Sequence, residues 1–164
     1  MKPTLSLILI IIIMLLCIGC GSAQSAATAA PEPSAGPEQE SSAESEEAKM
    51  MSMKIGETDV EVTWEDNDSV AALRELARAG LRIEMSMYGG FEQVGSIGTS
   101  LPREDSQTTT QAGDIVLYSG NQLVVFYGSN SWAYTRLGRI VDKTASELSE
   151  LLGSGDAAIT LNLK

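Results

Sequence analysis

The chain contains no histidine and only two cysteines, Cys17 and Cys20. Without imidazole, the common general base, the Ser-His and Cys-His nucleophile pairs and most zinc sites are excluded. Past Cys20 no thiol remains, so the rest of the chain has no disulfide and must be held by its core. Positive charge is scarce too, with 11 Lys and Arg against 22 Asp and Glu and a net charge of −11. Such a chain lacks the basic face that phosphate neutralisation requires, which argues against nucleic acid as a partner. No segment has calcium-loop spacing, Gly98-Thr99-Ser100 lacks the second glycine of a nucleophile elbow, and the sparse glycines form no phosphate loop. Neither a metal nor a cofactor is expected. At 164 residues one domain is the default.

What is present divides into three unlike segments. Residues 1–20 are almost wholly apolar: Lys2 is the single charge, Leu5 to Leu16 is an aliphatic run broken by Ser6, and Cys17-Ile18-Gly19-Cys20 closes it. That run is shorter than the ~20 residues that span a bilayer. A charged start, a short apolar centre and a small-residue exit describe an export signal. Its ending resembles the lipobox of bacterial lipoproteins, in which a small residue such as Gly19 precedes the cysteine that is lipidated. Cys20 is the candidate, because bulky Leu16 would occupy the small-residue position if Cys17 were modified. An uncleaved signal anchor is the alternative. Both place the remainder outside the cytoplasm, in a bacterial cell envelope and attached to its membrane.

Residues 21–51 are built from Ala, Ser, Pro, Glu, Gln and Gly, with Glu32, Glu38, Glu40, Glu44, Glu46 and Glu47 opposed by Lys49. A segment without aromatic or branched aliphatic residues cannot bury enough apolar surface to offset its ordering entropy, so it reads as a disordered tether. As a coil it would span roughly 30 Å, and pulled straight about 100 Å.

Residues 52–164 carry the folding signals. Met51 to Ile55 and Asp59 to Trp64 alternate around Gly56-Glu57-Thr58, which predicts a hairpin with Met51, Met53, Ile55, Val60, Val62 and Trp64 inward. Asp66 to Ser69 supply a helix cap for Val70, Leu73, Leu76 and Ala77, and Gly80 sits where a left-handed terminator belongs. Leu81 to Met87 alternates as a strand. Tyr88 to Gln111 reads as loop with short strands near Val94 to Ile97, and Ser106 to Gln111 as its most exposed part. Gly113 to Gly128 predicts a hairpin around Ser119-Gly120-Asn121, apolar nearly throughout, as suits strands buried on both faces. Trp132 to Val141 predicts another strand. Thr144 to Glu147 has capping-box spacing before Leu148, Leu151 and Leu152, and Ala157 to Leu163 predicts a final strand. Many short strands with two isolated helices fit a helix-capped β-barrel.

The segments GDIVLY (Gly113 to Tyr118), LVVFY (Leu123 to Tyr127) and YTRLGRI (Tyr134 to Ile140) resemble recurring strands of the bacterial cyclophilin-like fold family, distant relatives of the peptidyl-prolyl isomerases. The resemblance covers about Met53 to Leu163. It implies a mainly β fold, a cyclophilin-like β-barrel with two short capping helices, preceded here by the tether. In true cyclophilins an arginine shortly before a Phe-Met-x-Gln stretch holds the twisted prolyl amide. Here Arg82 stands nine residues before Phe91, and Phe91-Glu92-Gln93 is a shortened, acidic version of that stretch. The family's histidine has no counterpart.

Every aromatic except Trp64 lies between Tyr88 and Tyr134. Most are expected to fill the barrel, while Phe91 and Trp132, in or beside glycine-rich loops, are candidates for an exposed groove. Arg103 could add a planar fork for a peptide carbonyl or carboxylate. Asp114 reads as a turn residue, and Arg136 and Arg139 as surface ion-pair partners. The expected function is a membrane-anchored lipoprotein whose barrel binds a peptide or small ligand near Phe91, Arg103 and Trp132 without catalysis. The alternatives are a prolyl isomerase using Arg82 or Arg103, or a structural module of an envelope complex.

Overall fold

The computed structural model describes residues 50–163; the signal, Cys20 and nearly all of the tether lie outside these. Ten strands and two helices follow in the order β1 (Met51–Ile55), β2 (Thr58–Val60), β3 (Val62–Trp64), α1 (Asp68–Ala77), β4 (Leu81–Tyr88), β5 (Glu92–Ser96), β6 (Ser106–Thr109), β7 (Asp114–Tyr118), β8 (Gln122–Phe126), β9 (Ser131–Ile140), α2 (Ala145–Leu152) and β10 (Ala157–Leu163). They form one sheet in the order β2-β1-β10-β4-β5-β8-β7-β9-β3, with β6 on the free end of β9. The two ends of this path, β2 and β3, are separated in sequence only by Glu61, so the sheet curls round until it nearly closes. The barrel expected from the strand pattern is the observed fold.

The first expected hairpin is therefore two partnerships. β2 pairs with β1, whereas β3 pairs with β9 across the seam. Glu61 makes the switch: its N–H donates to Asp142 Oδ1 and its carbonyl accepts from the Val141 N–H. Val60 is buried, but Val62 and Trp64 are only partly so.

Inward side chains of the strands meet the buried faces of both helices in one cluster that includes Met53, Ile83, Ile115, Leu117, Leu123, Val125, Leu137 and Ile159, with Val70, Leu73 and Ala77 of α1 and Leu148 and Leu152 of α2. Asn67 caps α1, its side chain accepting from the Val70 N–H, and Gly80 adopts φ +79 after it. In α2 both halves of the Thr144 and Glu147 capping box form. Each of these follows from the sequence signal.

The β7–β8 hairpin turns through Ser119 (φ 52) and Gly120 (φ 79), and Asn121 N–H donates to Tyr118 O, a turn whose twist suits a hairpin. Its strands are apolar on both faces because a second cluster lies outside the barrel wall. Val116, Val124, Phe126 and Tyr134 are buried there, with Phe91 and Val94 packed against them. A register shift in the β7–β9 ladder places Ile115 opposite Gly138 but Val116 opposite Arg136, leaving Leu137 as an extra residue that points into the core. This bulge turns Tyr134 to the outer face.

Two expectations are corrected. Ser106 to Thr109 is strand β6 rather than loop, still largely exposed as expected but paired with Ser131 to Tyr134. β9 is long enough to outrun β7, and its free edge accepts a polar strand through backbone hydrogen bonds that need no apolar side chain. Met87 is exposed rather than inward, since the end of β4 lies beyond its partner β10.

Candidate functional site

Two concavities on the described part of the surface bear on the expected site. The first, about 420 Å³, lies on the outer wall over the second apolar cluster and is lined by Tyr88, Glu92, Val94, Tyr118, Gln122, Val124, Asn130, Trp132 and Tyr134. Strand alternation sets this membership: Glu92 and Val94 face out from β5 while Gln93 and Gly95 face in, and Gln122 and Val124 face out from β8.

The floor and rim are held firmly. Tyr134 meets Phe126 edge-on at 5.7 Å between centroids and Tyr118 at 6.0 Å. Its hydroxyl accepts from Asn130 Nδ2 at 3.1 Å. Asn130 is itself fixed: its carbonyl accepts from the N–H and hydroxyl of Thr110, and its N–H donates back to Thr110 Oγ1. Tyr88 ends β4 before a tight turn in which Gly89 (φ 62) and Gly90 (φ 74) adopt backbone angles that disfavour any side chain, and Phe91 N–H closes it on Tyr88 O. Trp132 stands on the part of β9 held by β6, opposite Thr108, and remains 58% exposed.

Glu92 is the unusual member. It is 6% exposed, and its Oε2 is buried with no hydrogen-bond partner among the described residues. Burial raises its carboxyl pKa above the ordinary value. The hydroxyls of Tyr134 and Tyr127 are also raised, first by burial and then by the negative charge of Glu92. Tyr127 Oη is a second buried oxygen without a partner.

The residues expected to form a groove are distributed over different places. Trp132 lines this cavity. Phe91 packs beneath the outer wall: its Cβ comes so close to Gly128 that a methyl there would stand 2.6 Å away, and its carbonyl accepts from the N–H groups of Tyr127 and Gly128. Arg103 belongs to a second concavity, about 440 Å³, shared with Asp66, Asn67, Asp68, Ser69, Pro102, Glu104, Ser106, Thr135 and Arg136. The polar groups there largely satisfy one another. Arg103 pairs with Asp105 at 3.4 Å, Thr135 hydroxyl donates to Asp105 and accepts from Glu104 N–H, and Ser69 hydroxyl donates to Pro102 O. Arg82 lines neither cavity; it lies exposed on β4 and pairs with Glu84 at 2.8 Å. Gln93, the end of the shortened motif, is buried in the barrel, where its amide donates to the carbonyls of Leu152 and Gly155 behind α2.

Asp114 is more than a turn residue. Fully buried, it accepts from the Gln111 N–H and from both Arg136 and Arg139 at 3.2 Å, pinning the start of β7 to β9. The sequence reading gives Glu92, Tyr118 and Tyr134 no place in a ligand site. The signal for them is parity: once Val94 and Val124 are assigned to one face, Glu92 and Gln122 must share it. Among the described residues no group of three or more Cys, His, Asp or Glu side chains is placed to hold a metal ion.

No curated protein and no solved structure matches the chain significantly. A family model does match, over residues 53–164, which take in every strand from the middle of β1 onward and both helices, and with this match the chain belongs to the cyclophilin-like family.

Proposed function

We propose that the domain is a ligand-binding module, exported and lipid-anchored through Cys20, that holds a small ligand or peptide side chain in the outer-wall cavity without catalysing a reaction. The observation that carries this is the cavity itself: Tyr118, Trp132 and Tyr134 surround a buried carboxylate over a firmly packed apolar floor. Aromatic walls around a few convergent polar groups are the common character of small-molecule sites. The absence of catalysis is supported by the positions of the arginines. Prolyl isomerisation would use a guanidinium donating to the twisted amide, yet Arg82 and Arg103 engage carboxylates away from this cavity.

The two tryptophans supply the test. Trp132 lines the cavity, whereas Trp64 lies on β3 opposite Gly138, outside the cavity lining, with its indole N–H donating to Met51 O at 2.8 Å. In a two-dimensional NMR screen of small molecules and short peptides of mixed charge, a binder is expected to move the Trp132 indole resonance and leave that of Trp64 in place. If no compound of any charge moves Trp132 selectively, the binding function is refuted.

A further inference from the structure

Glu92 suggests what kind of ligand the cavity takes. A carboxylate loses much of its hydration when buried, and proteins ordinarily compensate it with a cation or with backbone N–H donors. Glu92 has neither at Oε2. Among the described residues no Lys or Arg lines the cavity, and the amide of Asn130 that could turn toward the carboxylate is already donating to Tyr134 Oη. No described residue supplies the compensating charge, and a cationic ligand would. The surrounding rings have the same preference: the negative faces of Tyr and Trp attract cations, more strongly where water is excluded. An anionic ligand would instead meet an uncompensated negative charge, and a neutral carbonyl would leave Oε2 as unpartnered as before.

Resting on the reading of this cavity as a binding site, we propose that its ligand is an alkylammonium group, seated on the Glu92 carboxylate with its methylenes against Tyr118, Trp132 and Tyr134. The volume, about 420 Å³, exceeds a single ammonium group and leaves room for the carbon chain that carries it. The same chemistry is offered by a free amine and by a lysine side chain of a peptide.

The full domain is titrated with n-butylammonium and with a blocked tripeptide containing a central lysine. Matched controls are n-butanol, butyrate and the norleucine tripeptide, and the readout is the Trp132 indole shift with Trp64 as internal reference. The cationic probes are expected to bind at least about tenfold more tightly than their neutral and anionic counterparts, since a charge-assisted hydrogen bond is worth that much or more. Glu92→Gln, similar in shape but uncharged, is expected to remove the difference. Tight binding of the lysine peptide with weak binding of butylammonium assigns the site to peptides, and equal binding assigns it to free amines. Neutral probes binding as tightly as cationic ones, or an unchanged preference in Glu92→Gln, would overturn the cation assignment while leaving a binding site in place. A Trp132 resonance unmoved by every probe would remove both. If Glu92→Gln fails to fold, the comparison of cationic with neutral probes on the unaltered domain still decides.

Discussion

Replacing Glu92 by methionine should make the free protein more stable. Oε2 is buried without a partner, and leaving a buried polar group unsatisfied costs about 1–3 kcal/mol. Methionine is close in length, adds favourable contact with Val94, Val124 and the rings, and carries no charge into the site. An unfolding entropy near 2 cal/mol/K per residue over roughly 110 residues makes each kcal/mol worth about 4 °C, so the midpoint should rise by about 4–12 °C at pH 7. The dependence on pH has a definite sign. Burial raises the folded-state pKa of Glu92 above its ordinary 4.5, so the folded chain keeps its proton to higher pH than the unfolded chain does. Stability is consequently lost as pH rises from the ordinary value through the folded one, and is constant above that. Among the described residues the groups facing the carboxyl are the phenols of Tyr88, Tyr118, Tyr127 and Tyr134, and no base lines the cavity to reverse the sign. The gap between Glu92→Met and the unaltered protein should thus widen as pH rises above about 4.5 and narrow below it. Thermal unfolding followed by circular dichroism between pH 4 and 8 measures it. A variant less stable at pH 7, or a gap independent of pH, would refute the idea that this carboxylate is held at a cost to the fold.

Asp114→Ala should destabilise the domain by about 2–4 kcal/mol in urea unfolding, because Arg136, Arg139 and the Gln111 N–H lose one shared acceptor; the partly exposed arginines regain water and keep the figure below that of a fully buried pair. Gly138→Ala should cost about 1–3 kcal/mol, since the new methyl would stand 2.6 Å from Thr63 O and push β3 off β9 at the seam; a neutral result would mean that the seam is loose. In a protease-coupled proline peptide assay the domain should show no rate above background, and Arg82→Ala and Arg103→Ala should change nothing; a rate that either substitution abolishes would overturn the non-catalytic reading. Metabolic labelling with a fatty acid should mark the protein, and Cys20→Ser should abolish the label; a label that persists would move the attachment elsewhere, and an unlabelled unaltered protein would refute it.

The parts of the fold legible in the sequence are those in which burial leaves a pattern. The β7 and β8 runs, buried on both faces, announce themselves by continuous hydrophobicity, and the Thr144 and Glu147 pair marks a helix start because two specific side chains close it. β6 was not legible, for its pairing with β9 rests on backbone groups and one Thr109–Ser131 hydroxyl contact, and its Ser, Gln and Thr side chains look like any loop. The candidate site was half legible. Trp132 stood out as an aromatic near glycines, but Glu92 lies in a stretch whose departure from a known motif drew notice only to what was missing. Its importance depends on Phe126, Tyr134 and Val124 arriving from other strands to close off solvent, and no local pattern encodes that.

The pairing of the first strand with the last has a topological consequence. Met51 lies directly opposite Leu163 in an antiparallel ladder, so the backbone enters and leaves the barrel side by side. A few residues would suffice to join these ends into a ring, and the ring could be reopened at the tip of the β7–β8 hairpin to give a circular permutant with every ladder intact. In the natural chain order, the first strand is itself held between two neighbours, β2 and β10.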